Sequence, residues 1–577
     1  MTAGPAGDDI SFFFDDRPVT AKAGQSLAAA LTAAGILSLR HTANNRERGI
    51  FCGMGVCQDC LVVVDGAPNQ RACTLKITRP FRAARQTTSA SPQDIDSGLP
   101  PISLRDYAIE TPEVLVIGGG AGGLSAALAA RRCGASVVLL DERGVAGGQY
   151  YKQPAVPNAP PLDTQQADGR HLMDAVLECG ARIVAECEVW GAFPCEDAAA
   201  DIVAAGRRGT RRFRPARLIV ATGAYEPGLI VPGWTLPGVM TTGAAQTLWR
   251  SYRTLPGRRI LIAGNGPLNM QVAYEFAAAG AKVVAAAEVA SAPGVGSLGT
   301  LASMAAADWG LLRAGLRYRI GLAGHRVPVL YRHVVTRIEA SETGLVATLA
   351  RLEGRRPTGR VRRLTADVVC LGYAFQPANE ILRLLGARHE YDPARGHLVT
   401  RRSADGETSM ARVYGVGDCC GIGGARAAAA EGTLAGLAAA RSIGLTHPDA
   451  ASLEASARRR LFRARRFEHA LWSLFDGPRF TYELADRNTT ICRCEEVSLE
   501  QLEAVFAEGK SLISEVKQRT RAGMGRCQGR YCAPAIGALL AERHSRGIGE
   551  FAFFAPRAPV KPVTIADLAR VAGPGDA

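Results

Sequence analysis

Apolar and polar positions along the chain change their period several times, and each change marks an element. Near the N-terminus Ile10–Phe14 reads as a strand and Ser26–Ala34 as a short helix. Leu61–Val64 reads as a strand turned at Asp65-Gly66, so this part is a small β-rich fold. Residues 87–112 are rich in Ser, Pro and Asp with little periodicity and read as a linker. Beyond them the buried strand of Glu113–Ile117 runs straight into glycines and a helix, Leu124–Arg132, and Ser136–Leu140 forms a second strand. The strand–loop–helix order recurs from Arg259, with the next strand at Val283–Ala287. Small residues fill a helix over Ala425–Ala440. Apolar residues then recur at helical spacing over Phe467–Phe475, and helices are expected at Leu499–Glu508 and from Ser511.

At 577 residues the chain has material for about four domains. A composition of 47% hydrophobic and 21% charged residues excludes global disorder and a fibrous repeat. The net charge of +14 favours acidic surfaces, nucleotides or anionic lipid. Aromatic residues make up only 6%, and no basic-aromatic nucleic-acid module stands out, so no nucleic acid is expected as a partner. Met1–Asp16 carries no signal-peptide pattern. The longest apolar run, Val114–Ala130, contains five glycines and is too short to span a bilayer. A cytoplasmic protein is expected, and its fifteen cysteines point to metal or redox chemistry.

Four of those cysteines, Cys52, Cys57, Cys60 and Cys73, follow the order C-x4-C-x2-C-x12-C. The first three match plant-type [2Fe–2S] spacing, and Gly53 and Gly55 relieve crowding where sulfurs turn inward. A zinc knuckle or free thiols is the alternative, but zinc sites usually pair two C-x2-C units and only one is present. A second set, Cys492, Cys494, Cys527 and Cys532, is spaced C-x-C-x32-C-x4-C on a small helical domain. Four thiolates there suit [2Fe–2S] or Zn2+. Arg493, Arg526 and Arg530 stand beside these ligands and are expected to raise the potential of an anionic cluster.

Gly118, Gly120 and Gly123 form G-x-G-x-x-G between strand and helix, and Asp141 follows 18 residues after Gly123. Gly118 permits the tight turn, Gly120 admits a pyrophosphate to the backbone, and Gly123 lets helix and strand pack. The helix N-terminus favours phosphate, and Asp141 can accept from a ribose hydroxyl. In the second loop, Gly264 and Gly266 remain but the third glycine is Asn269, and Pro267 stiffens the turn. Whether it binds NAD(P) stays open at this point. Nothing basic follows Glu288 to hold a 2′-phosphate, which favours NAD over NADP. No cysteine pair is placed for disulfide reduction: residues 141–170 hold none, and Cys419-Cys420 read as packing.

Leu218–Ala224, with Thr222 and Gly223, resembles the ATG turn of two-dinucleotide-domain flavoproteins. Val413–Asp418, with Gly417 and Asp418, resembles their second FAD motif, whose acid meets the ribityl chain or pyrophosphate side. With the two cysteine sets these segments identify an α/β, Rossmann-like flavoprotein with an N-terminal β-rich ferredoxin-like domain and a C-terminal helical [2Fe–2S] domain. The latter resembles bacterioferritin-associated ferredoxin. The module order is similar to the flavin-bearing subunits of hydrogen cyanide synthase, opine oxidase and D-hydroxyproline dehydrogenase, with the small ferredoxin-like subunit fused in front. The alpha subunit of heterotetrameric sarcosine oxidase is similar over its first part. Gly147–Gln153 (hence Gln149 as a cofactor residue), Leu236–Gln246 and the Arg-Ala-Gly-Met-Gly-Arg-Cys run carry the resemblance.

The domains expected are 1–86, ferredoxin-like; 87–112, linker; 113–235 with 360–445, FAD-binding; 236–359, the inserted NAD(P)-like Rossmann domain; 446–485, a basic helical connector; and 486–577, the second [2Fe–2S] domain. The resemblance implies FAD and two [2Fe–2S] clusters, with room for an FMN at a subunit interface and for NAD. It also implies electron transfer from a D-amino-acid-oxidase-like flavoprotein subunit that oxidises an amino or imino acid. Two rivals stand: a self-contained NAD(P)H-dependent reductase and a non-enzymatic iron–sulfur scaffold. No acid–base pair stands out as a catalytic site, and His171, His325, His333 and His469 are scattered. The six arginines of Arg458–Arg466 read as a solvated helix face, or as a docking face for an acidic partner or peripheral membrane contact.

Overall fold

The computed structural model describes residues 9–87, 109–155, 159–206 and 209–569. The linker reading at 87–112 thus lies mostly outside the described residues. In the N-terminal unit, Asp9–Phe14 pairs antiparallel with Arg17–Lys22 and parallel with Arg82–Arg85, which also pairs with Leu61–Val64. Phe12 and Phe14 point into the core while Phe13 is exposed, as the alternation of a strand requires. Ser26 caps the helix Leu27–Ala33, its hydroxyl accepting from the Ala29 amide.

The central 330 or so residues use one plan twice. Five parallel strands run in the order Arg182–Val184, Val137–Leu140, Val114–Ile117, Arg217–Val220, Val413–Gly415. Val114–Ile117 is wholly buried because a parallel strand is covered on both faces, which explains its unbroken apolar run. Three antiparallel strands, Cys187–Phe193, Asp201–Gly206 and Gly209–Phe213, lie beyond. The inserted unit repeats this with Val239–Thr241, Val368–Gly372, Arg259–Gly264, Lys282–Glu288 and Val329–Tyr331, again all parallel. Its own antiparallel trio is His333–Ser341, Gly344–Glu353 and Arg356–Ala366.

Strand pairing therefore carries the inserted unit to Gly372, past the boundary expected at 359. The C-terminal tail departs from the expected domain in the same way. The Val560 amide donates to the Trp190 carbonyl at 2.8 Å and Lys561 pairs with Glu142, so residues after about 555 lie on the first Rossmann unit.

The small-residue helix, Gly424–Arg441, packs on Ala121–Arg132. A Cβ at Gly432 or Gly436 would strike the carbonyl of Gly122 or Ala126 at 2.0 and 2.3 Å. The arginine-rich segment lies in one helix, Ala450–Leu474. Arg458 and Arg465 are paired with acids, and Arg459, Arg460, Arg463 and Arg466 are exposed. Among the described residues no helix is long and apolar enough to cross a membrane.

Candidate cofactor sites and their junction

The first glycine loop has the shape of a pyrophosphate cradle. Gly118 sits at φ +106, and a Cβ there would meet the Ala221 carbonyl at 2.3 Å; one at Gly123 would meet the Gly118 carbonyl at 1.8 Å. At Gly120 the nearest atom to such a Cβ is 3.9 Å away, and at Gly223 and Gly424 nothing lies within 4 Å, so backbone borders open space at these three points. The helix that starts at Ala121 has no side-chain cap, which leaves its first amides free for an anion. Asp141 receives the Gly119 and Arg143 amides, each at 2.7 Å, and burial pushes its carboxyl up to about 6. Asp418 receives the Gly423 and Gly424 amides at 2.9 and 2.8 Å, closing the second turn on itself. These residues fit a dinucleotide.

The second loop is arranged differently. Glu288 is fully buried and accepts from the Gly266 and Ala290 amides, both at 2.9 Å. Gly266 is the counterpart of Gly120, so the amide that would meet a pyrophosphate is already bonded. Pro267 follows with no N–H at all. Asn269 fills the space of the third glycine: its Nδ2 donates to the Gly372 carbonyl and its Oδ1 accepts from Thr242 Oγ1, both at 2.8 Å. Asp141 differs from Glu288 by one methylene and reaches only to Gly119, which leaves Gly120 free.

Both cysteine sets lie in tight, buried loops. Cys52 Sγ accepts from the Met54 and Cys57 amides at 3.5 and 3.3 Å, while Gly53 and Gly55 take positive φ. In the C-terminal set, Cys494 Sγ stands 3.9 Å from Cys492 and 3.6 Å from Cys527. A Cβ at Gly525 would lie 2.4 Å from Cys494 Sγ, so the loop admits only glycine there. Buried thiols with amides donating to one of them are the donor type that suits a [2Fe–2S] centre.

The two sets face each other across one apolar core. Phe51, beside Cys52, makes an edge contact with Tyr531, beside Cys532, with ring centroids 5.4 Å apart. Arg493 spans the same junction. It forms a buried pair with Asp59 at 2.7 Å, donates to the Trp234 carbonyl, and lies 3.8 Å over the Phe51 ring and 4.5 Å over Trp234. Its charge is therefore committed to an acid beside Cys60, and Arg530 pairs with Glu380. Of the three arginines expected to act on the C-terminal set, Arg526 alone forms no such ion pair among the described residues. Arg48–Glu496 is a second buried pair between the same domains.

The segment after the first glycine loop also touches the loop of the first cysteine set, for Gln149 Nε2 lies 3.7 Å from Met54 Sδ. Lys152, three residues on, donates to the Gly243 carbonyl and Gln246 Oε1 at 2.8 and 2.9 Å. Glu226 accepts from the Gly243 amide at 2.6 Å. Burial, then Arg143, pushes Lys152 down to about 7, and burial pushes Glu226 up to about 7. Both groups bond to Gly243, Lys152 at its carbonyl and Glu226 at its amide, and no ion pair joins them among the described residues. Their meeting at one glycine was not visible in the sequence, since 74 residues separate them. Of the histidines, His171, His325 and His469 are exposed and His333 is half-buried, with no shared site.

Comparison with known proteins gives the family of each part of the chain. A pyridine nucleotide-disulphide oxidoreductase family model matches residues 112–432, a 2Fe-2S iron-sulfur cluster binding domain matches 7–88, and a BFD-like [2Fe-2S] binding domain matches 490–542. An opine oxidase subunit of Rhizobium meliloti is 30% identical over 80% of this chain and 99% of its own length. The chain belongs to this family. Hydrogen cyanide synthase subunit HcnB of Pseudomonas aeruginosa is likewise 30% identical, over 78% of this chain and 96% of its own. The fold is that of L-proline dehydrogenase from P. horikoshii, with a TM-score of 0.72 over 98% of this chain and 99% of that one at 18% identity. The protein is thus an α/β oxidoreductase of flavoprotein type with two [2Fe–2S] domains.

Proposed function

We propose that the chain is the electron-transferring FAD/[2Fe–2S] subunit of a heteromeric, cytoplasmic dehydrogenase or oxidase of amino or imino acids, of the opine, D-hydroxyproline, glycine or sarcosine type. Its partner is a D-amino-acid-oxidase-like flavoprotein subunit that oxidises the substrate. Gly118, Gly120, Gly123, Asp141, Gln149, Thr222, Gly223, Gly417 and Asp418 hold FAD. Cys52, Cys57, Cys60 and Cys73 hold one cluster, and Cys492, Cys494, Cys527 and Cys532 the other.

The observation that carries the reading is the contrast between the two glycine loops. One presents free amides to a dinucleotide, and the other spends the Gly266 amide on Glu288 and replaces the next with Pro267. A reductase fed by NADH needs the second loop, whereas a subunit fed by a protein partner does not. FAD, when bound, supplies two-electron chemistry that one-electron clusters lack. The chain's residues bring the flavin loop and the Cys52 loop together at Gln149 and Met54. Fusion of a ferredoxin-like domain in front of an HcnB-like chain puts that relay in one polypeptide. The test is affinity purification of the full chain from its own cell. An amino-acid-oxidase-like flavoprotein in stoichiometric amount is expected, and a homogeneous single chain that oxidises amino acids unaided would overturn the proposal.

A further inference from the structure

The helix Trp309–Gly324 of the inserted unit has two apolar faces, and one of them is bare. On the inner side Leu312 shares a core with Met304 and Ala307 of the helix Leu298–Ala307 and with Phe467 and Ala470 of Ala450–Leu474. On the outer side Trp309, Arg313, Leu316 and Ile320 fall within about 60° of one another around the helix. All four are exposed, Trp309 by 62% and Ile320 by 71%. Just ahead, Val295 is 85% exposed and Leu298 is also exposed, beside Gly294, Gly296 and Gly299, where an added Cβ would meet nothing within 4 Å. Single exposed apolar residues are ordinary, but a stripe of them on a well-formed helix marks an interaction surface.

The charge around the stripe has one sign. From Val289 to Ile338 the sole acid is Asp308, against six arginines. Asp308 is already engaged, accepting from the Leu311 amide at 3.0 Å and pairing with Arg426 at 3.9 Å. Arg317 lies 5.6 Å over the Tyr318 ring and Arg319 5.6 Å over Tyr331, and neither has an ion pair among the described residues. A second copy of this chain would set arginines against arginines. Guanidinium groups held over rings instead match carboxylates fixed on a folded surface better than mobile lipid headgroups. Arg426 stands two residues beyond Gly424, so the stripe adjoins the turn of the second FAD motif. We infer that the face of Trp309, Leu316 and Ile320, with Val295 and Leu298, is where the partner flavoprotein subunit docks, through a surface with an apolar centre and an acidic rim. The inference rests on the heteromeric reading proposed above and gives it a place on the chain, beside the turn assigned to FAD.

The test uses the complex purified from its own cell and the full chain. Hydrogen–deuterium exchange is expected to be slower over 295–324 in the complex than in the isolated chain, and this measurement needs no variant to fold. Affinity is then read by sedimentation with the flavoprotein subunit separated from that complex. Trp309→Glu and Ile320→Glu place an acid in the face at exposed positions, and each is expected to weaken binding about tenfold or more. Arg313→Glu is expected to weaken it more at low salt than at high. Val361→Glu, equally exposed but on the antiparallel trio of the inserted unit, is expected to bind like the wild type. Unchanged exchange over 295–324, or wild-type affinity in both acidic variants, overturns the inference while the heteromeric reading stands. With partner affinity unchanged in Ile320→Glu, loss of flotation with phosphatidylglycerol vesicles would reassign the face to lipid, and loss of a self-associated dimer would reassign it to a second copy; either overturns the inference. A native chain that carries no flavoprotein subunit overturns instead the reading beneath it.

Discussion

Asp59→Asn should undock the C-terminal cluster domain more effectively than any other single change at the junction. Asp59 is 1% exposed and holds Arg493 at 2.7 Å and Arg40 at 3.2 Å. With Arg48 and Glu496, also buried, the junction contains three guanidinium groups and two carboxylates. Removing one member of a buried pair costs about 3–5 kcal/mol, because the partner's charge stays desolvated. A neutral amide in place of the Asp59 carboxylate would leave three cations facing one acid, so the upper end, about 5 kcal/mol, is expected. Arg493→Met removes a cation from an excess of cations and lands near 3 kcal/mol, part of it the lost stacking on Phe51 and Trp234. The double variant should recover about 2 kcal/mol of the summed loss. Urea titration followed by the visible circular dichroism of the clusters reads these differences as midpoint shifts. Singles below about 1 kcal/mol, or strict additivity, would refute the view that the pair locks the two domains together.

Three further outcomes are expected. Purified chain should carry one FAD and about four irons with matching sulfide, and Cys57→Ser should lose one reducible centre and keep the flavin; zinc replacing half the iron would reassign the C-terminal set. Glu288 is pushed up to about 7 by burial, so its contribution to stability is full below its unfolded pKa near 4 and is lost as pH rises through about 7. Relative to Glu288→Gln, the wild type should therefore weaken between pH 5 and 8 by on the order of 1–3 kcal/mol, and parallel unfolding curves would refute this. Reversing the exposed Arg459, Arg460 and Arg463 to Glu should weaken association with the partner flavoprotein, more at low salt than at high; unchanged assembly would leave the helix a solvated face.

Whatever is local was legible in the sequence. Strand Val114–Ile117, the glycine loop after it and the C-x4-C-x2-C run each declare themselves within about a dozen residues, because spacing alone fixes their geometry. What was not legible depends on which segments meet. Arg493 stood in the sequence as a charge expected to raise the potential of the cluster beside it, yet it reaches Asp59, 434 positions away. The contrast between the two glycine loops lies in the length of Glu288 as well as in the changed third glycine: one methylene more than Asp141 carries the carboxylate onto the Gly266 amide. Lys152 and Glu226 come to the same glycine only because Gly243 lies in the first turn of the helix Thr242–Tyr252, which packs between them.

The central claim is that electrons enter from a protein partner and not from a pyridine nucleotide. Anaerobic stopped-flow absorbance of the purified full chain, mixed with excess NADH or NADPH, tests it most directly. Flavin absorbance should stay constant on the time scale of turnover with either nucleotide, and should bleach when the amino-acid substrate is added together with the partner flavoprotein. Bleaching by NADH alone at a catalytic rate would contradict the account.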